Sequence, residues 1–238
     1  HFFGPSSLEN EDTVLQLDRT LADLFNYIDN TVGMKNTLIV LSADHGMADM
    51  PEYMTEQGYK VGRIKQERLI EIANDVGKKE FGIDEVVRFF FRPYMYLDEE
   101  KISKEKLQQS EVERAIASAL SKSEGIALAV PSSGFTSLQT SPAVEQIQRN
   151  YHPSRSGDIY IAQQPYWFMF ESGPIAVMHG SPWRYDTHVP IIFAGEGIGE
   201  KTVDRLVHPV DVAPTIANIL GITSPSSAAG SPLEEVVK

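Results

Sequence analysis

Apolar residues recur at Val14, Leu17, Leu21, Leu24 and Ile28 within 11–29, spaced three and four apart, which predicts an amphipathic helix. After a short Gly-containing loop the pattern changes. Residues 37–43 form an unbroken apolar, β-branched run that reads as a strand buried on both faces, as in a parallel sheet flanked by helices. Gly157-Asp158-Ile-Tyr-Ile-Ala and Pro190-Ile-Ile-Phe-Ala-Gly carry the same signature and are assigned to the same layer. A closing helix is predicted over about 211–220, with Asp211 as N-cap and Gly221 just beyond its end. The fold class read from this pattern is α/β: a doubly wound, mostly parallel sheet flanked by helices.

Between 51 and 150 the texture differs, with more charge and more Pro and Gly punctuation. A helix is predicted over 64–76, with Gly77 at its end, and a strand over 86–97. Ser110 and Glu113 have capping-box spacing ahead of Val112, Ile116, Ala119 and Leu120. A short apolar run covers 126–130, and 131–143 is a Ser/Pro/Gly/Thr-rich loop. This stretch reads as an inserted α+β cap (51–150) within an α/β core made of 1–50 and 151–238. There is no internal repeat, low-complexity tract or nucleotide-binding Gly-rich loop.

Composition narrows the function. The 238 residues, 42% apolar and 23% charged, are those of an ordinary globular chain. No stretch approaches the roughly 20 consecutive apolar residues of a membrane span. A net charge of −12 argues against a nucleic-acid polymer as partner, because phosphate neutralisation needs clustered Lys and Arg. An anionic substrate would need a local positive centre such as a metal ion. The absence of cysteine excludes disulfides and thiolate zinc sites. The opening His1-Phe-Phe-Gly-Pro lacks an initiator Met and a signal peptide, and is read as the edge of something longer.

The candidate chemistry lies where the first strand stops, at Asp44-His45-Gly46. Ligands of open α/β sheets collect outside the carboxyl ends of the strands. A carboxylate beside an imidazole suits a divalent metal, and glycine frees the turn. The competing reading is a strand-to-loop turn in which Asp44 caps and His45 is solvated. His179-Gly180 repeats the His-Gly pairing near another strand. His152 and His208 each precede a proline and read as structural or solvated.

Asp44-His45-Gly46, His179-Gly180-Ser181-Pro182 and Tyr185-Asp186-Thr187-His188-Val189-Pro190 together resemble the alkaline phosphatase superfamily. The similar branch is that of type I phosphodiesterases/nucleotide pyrophosphatases and phosphate-irrepressible alkaline phosphatases. His1-Phe-Phe-Gly-Pro-Ser resembles an Asp-x-x-x-His-x-x-Gly-Pro element of that group. Arg155-Ser-Gly-Asp-Ile and the helix within 208–222 are also similar to it.

The resemblance implies two divalent metal ions, zinc above all, with Asp44 and His45 on one and His1 and His179 on the other. His188 and Asp186 are implied to support the site or the fold rather than to ligate. The upstream aspartate of the element, a further metal-binding aspartate and the Thr or Ser nucleophile are expected before His1. Ser6, Ser7 and Ser42 read as capping or loop residues. The implied reaction is hydrolysis of a small phosphorylated substrate, with two cations about 4 Å apart holding both ends of an in-line displacement. A secreted or periplasmic location is implied too. A sulfatase, phosphonate hydrolase or phosphomutase on the same metals is the alternative enzyme. A folded, non-catalytic fragment that self-associates through an unpaired sheet edge is the alternative for the chain alone.

Overall fold

The computed structural model describes residues 1–135, 141–170 and 175–237. In chain order the main elements begin with α1 (Leu8–Thr31), β1 (Leu38–Ser42), α2 (Pro51–Glu56) and α3 (Gln66–Phe81). The hairpin β2 (Val87–Phe91) and β3 (Tyr94–Leu97) follows, then α4 (Glu99–Lys104), α5 (Gln109–Leu120) and β4 (Ile126–Pro131). The chain continues through α6 (Pro142–Asn150), β5 (Ile159–Gln163), α7 (Arg184–Thr187), β6 (Ile191–Gly195) and α8 (Val212–Leu220). It divides into two compact units. The first comprises His1–Asn10 and Met47–Thr187, the second Glu11–Gly46 and His188–Lys238. Part of the predicted loop at 131–143 lies outside the described residues.

The first unit is built on a four-stranded sheet in the order β2-β3-β5-β4, every neighbouring pair antiparallel. Helix α3 buries Leu69, Ala73 and Gly77, four residues apart and therefore on one face. Gly77 is not the helix end. It lies inside α3, and a Cβ there would meet Val86 Cγ1 at 2.7 Å, so the missing side chain is what lets helix and strand approach. The helix ends at Gly82, in the left-handed conformation, with Ile83 N–H donating to the Gly77 carbonyl.

Helix α5 buries Val112, Ile116, Ala117 and Leu120. The predicted capping box does not form: Gln108 is the N-cap, and Glu113 is buried instead. Its carboxylate accepts a hydrogen bond from Ser133 N–H at 3.1 Å, since a buried carboxylate needs donors more than an exposed helix start does. Leu69, Met95, Ile102, Ile116, Leu120, Ile159 and Ile161 make the centre of the core.

Strand β5 was assigned from its pattern to the main layer, yet it is paired between β3 and β4 of this sheet. All of Ile159–Ala162 is buried. Such a run specifies a central strand but does not specify which sheet. At its start, Asp158 accepts Leu97 N–H and Gln109 Nε2–H, each at 2.7 Å. Burial pushes its carboxyl above the usual range, chiefly by desolvation.

In the second unit β1 pairs with β6, Leu38 opposite Gly195 through Ser42 opposite Ile191. The α/β class therefore stands, but the paired strands of the described residues run antiparallel. The parallel pairing observed is an isolated bridge between Arg63 and Phe168. The expected burial on both faces is not found either: no residue of β1 or β6 is buried, and Leu41 and Ile192 are exposed, so the apolar run marks a strand but neither its direction nor its cover. Helix α1 forms as expected, with Ser7 Oγ accepting Asn10 N–H at 3.1 Å. None of its residues is buried, however, and Val14, Leu17 and Leu24 are exposed. Helix α8 starts after Asp211 and stops at left-handed Gly221, as the sequence predicted.

Candidate metal centre

Strand β1 delivers Asp44 and His45 to the loop that follows it. Asp44 is open to solvent and its Oδ1 accepts the His45 N–H at 3.0 Å. Its Oδ2 lies 3.6 Å from His45 Nε2. On the other side of the ring, Nδ1 is 2.8 Å from the Gly46 carbonyl. A carbonyl can only accept, so that contact puts a proton on Nδ1, and Nε2 is the ring nitrogen on the Asp44 side. Ligating histidines are held in this way by a carbonyl or carboxylate behind the ring. The capping and metal readings of Asp44-His45 are thus compatible in geometry, because one carboxylate oxygen serves the turn and the other sits beside Nε2.

The first unit brings together the other two predicted ligands, distant in sequence. His1 and His179 have ring centroids 5.3 Å apart and planes inclined at 42°. The backbone makes this pairing: the His1 carbonyl accepts Ala176 N–H at 2.8 Å and Val177 N–H at 3.2 Å. Val177 is buried, which anchors the segment two residues before His179. Gly180 follows with φ of +103°, a conformation that favours glycine.

Asp186 closes the loop from behind. It is 5% exposed, and its Oδ2 accepts both Ser181 N–H at 2.7 Å and Ser181 Oγ–H at 2.6 Å. Desolvation pushes its carboxyl upward, and the Ser181 hydrogen bonds and nearby His179 oppose that shift. Asp186 therefore shapes the His179-Gly180-Ser181 turn. His188 is exposed, in the second unit.

The expected set thus falls into two pairs, His1 with His179 in one unit and Asp44 with His45 in the other. Among the described residues, neither unit gathers three or more His, Cys, Asp or Glu side chains able to hold a metal ion. The His1–His179 pair nevertheless offers two nitrogen donors and the Asp44–His45 pair one oxygen and one nitrogen, all of the kind zinc takes, and the Nδ1–carbonyl contact of His45 fits ligation.

One residue with a direct role at the His1 segment was not found from the sequence. Arg63 donates to both oxygens of Glu52, at 2.6 and 2.9 Å, and to the carbonyls of Phe170 and Ala176. Its guanidinium holds the Glu52 carboxyl below the usual range. A single arginine in a charged stretch gives no signal of such a role.

The antiparallel and helical framework with Asp-His and His-Gly at its loops defines a class: the chain belongs to the type I phosphodiesterase/nucleotide pyrophosphatase family, whose model matches residues 1–182. Among individual proteins, it is 34% identical over its full length to alkaline phosphatase PafA of Elizabethkingia meningoseptica, covering 43% of that protein. It is 32% identical to a protein named calcium-transporting ATPase from Myroides odoratus, again over all of this chain and 44% of that one. The crystal structure of wild-type PafA superposes with a TM-score of 0.90 at 32% identity, over 100% of this chain and 45% of that chain. The chain thus spans less than half the length of these relatives. No helix among the described residues is long and apolar enough to cross a membrane.

Proposed function

We propose that the protein carrying this chain hydrolyses esters of a small phosphorylated substrate with two divalent cations, zinc by preference. His1 and His179 hold one cation, and Asp44 and His45 the other. The observation that carries this reading is the pairing of His1 with His179, joined through the Ala176 and Val177 N–H groups across most of the family match. The relative PafA, an alkaline phosphatase by name, supports the same reaction class.

The residues suit the task. Neutral imidazoles and a carboxylate leave a divalent ion with net positive charge, and that charge stabilises what develops on phosphoryl oxygens. His45 is oriented by Gly46, His179 by the turn that Asp186 braces. We assign no Ser or Thr of the described residues as nucleophile. For the 238-residue chain alone we propose no turnover, in keeping with its covering less than half of each relative named above.

The test is turnover of p-nitrophenyl phosphate by the full natural protein, before and after chelation with 1,10-phenanthroline and after zinc is restored. Loss on chelation and recovery with zinc are expected. Full activity after exhaustive chelation would contradict the reading, and aryl sulfate turnover exceeding aryl phosphate would redirect it to a sulfatase.

A further inference from the structure

Arg63 touches no predicted ligand, yet it organises the backbone that brings two of them together. Its side chain is largely buried at 21% exposure and lies over the Phe168 ring, 5.2 Å from the centroid. Nε and Nη2 form a two-pronged ion pair with Glu52. The same guanidinium then reaches the Phe170 carbonyl through Nη1 at 3.3 Å and the Ala176 carbonyl through Nη2 at 3.1 Å. The Ala176 N–H in turn donates to the His1 carbonyl at 2.8 Å. An unbroken series of hydrogen bonds therefore runs from Glu52 through Arg63 and Ala176 to His1, whose ring faces His179.

We propose that Arg63, fixed by Glu52, is a positioning residue for the His1–His179 pair. Only a planar, multidentate cation can meet a carboxylate and two carbonyls at once; a lysine ammonium is a point charge without that fork. The Phe168 ring beneath restricts the guanidinium further. Without the guanidinium, the Ala176 carbonyl loses its side-chain partner, while the two N–H bonds to the His1 carbonyl and buried Val177 still hold the 175–179 segment, a looser hold that lets it shift. Such a shift spoils the spacing of two imidazoles without removing either. Supporting residues of this kind commonly change metal affinity when replaced, by about 10- to 100-fold.

The inference rests on the proposed metal reading, and the experiment separates the two. Full natural protein is prepared as wild type, Arg63→Lys, Arg63→Met and Glu52→Gln, stripped of metal, and titrated with zinc and, separately, with cobalt. In Arg63→Met, one zinc equivalent per chain is expected to bind about 10- to 100-fold more weakly than in wild type, with the other unchanged. Arg63→Lys and Glu52→Gln should fall between. The visible cobalt absorption should change in the component belonging to the weakened site, which a purely structural loss of stability would not alter. Excess zinc should restore kcat for p-nitrophenyl phosphate in Arg63→Lys. Should Arg63→Met not fold, Arg63→Lys and Glu52→Gln decide the matter. Wild-type zinc affinity and an unchanged cobalt spectrum in the folded variants overturn the role of Arg63 alone. A wild type that binds no zinc overturns the metal reading and, with it, this inference.

Discussion

Ser181 donates two hydrogen bonds to the same oxygen of Asp186, one from its backbone and one from its hydroxyl. The other oxygen, Oδ1, is buried with no hydrogen-bond partner. Replacing Ser181 with Ala removes the hydroxyl and leaves a buried carboxylate with still fewer donors. A loss of roughly 1–3 kcal/mol is expected from urea unfolding, since a buried acceptor left short costs its desolvation. An unchanged midpoint would show the hydroxyl to be idle.

Asp158 yields a pH test with a definite sign. Burial, its largest influence, raises its folded-state pKa above the ordinary value, so the folded form binds more protons than the unfolded form above that value. Its contribution therefore becomes less favourable as pH rises through the window between its unfolded and folded pKa values. Relative to Asp158→Asn, wild type should lose stability between about pH 4 and the pH where folded Asp158 has ionised. Parallel pH profiles of the two proteins would contradict this.

At this scale the sequence was readable where a short motif marked its residues. Asp44-His45-Gly46 and His179-Gly180 stood out because chemistry is concentrated in three or four positions. Arg63 did not, since its role depends on carbonyls more than 100 positions away, which local pattern cannot show.

Among the elements, α3 and Gly77 carry the sharpest expectation. Gly77→Ala would gain about 1 kcal/mol of helix propensity in an open position. Here the added methyl meets Val86 Cγ1 at 2.7 Å and Val86 Cβ at 2.9 Å, with the Ile83 carbonyl at 3.1 Å. Val86 is fully buried and has little room to give. Overpacking of this kind costs about 1–3 kcal/mol, so net destabilisation is expected, read as a lower thermal midpoint; a rise would contradict the packing. The helices α1, α3, α5 and α8 were legible from apolar spacing and terminal residues and β1, β5 and β6 from short apolar runs, whereas the single strand expected over 86–97 is a hairpin of β2 and β3. The end of α3 and the start of α5 were misplaced. In both cases a residue suited to a helix terminus, Gly77 or Glu113, was taken up by packing or by a buried hydrogen bond. Strand direction and the sheet of β5 were not legible, because apolar runs encode burial and not partners.

Across the molecule the two units are unequally provided with core. The first buries a large cluster around Leu69, Met95, Ile116 and Ile159. In the second, Pro214, Ala217 and Leu233 are the buried apolar residues among those described. Its polar core is better organised: Asp211 accepts His208 N–H and Ser231 N–H, while Thr215 Oγ donates to Asp211 O and accepts Leu233 N–H. Leu41 and Ile192, opposite one another across β1 and β6, are exposed there, as are Leu220 and Ile222 at the end of α8. We propose that the 238-residue chain self-associates through the two-stranded β1–β6 sheet, whose edges are unpaired among the described residues and which exposes Leu41 and Ile192. Sedimentation velocity should show oligomers at tens of micromolar, and a clean monomer at that concentration would refute it.

Binding of two cations, one at each histidine-bearing pair, is the claim on which the functional account rests, and metal content measures it most directly. By inductively coupled plasma mass spectrometry, the full natural protein should retain two zinc equivalents. Asp44→Ala and His179→Ala should each retain one, from opposite members of the pair. Wild-type protein without stoichiometric metal, or both variants still holding two equivalents, would contradict the assignment.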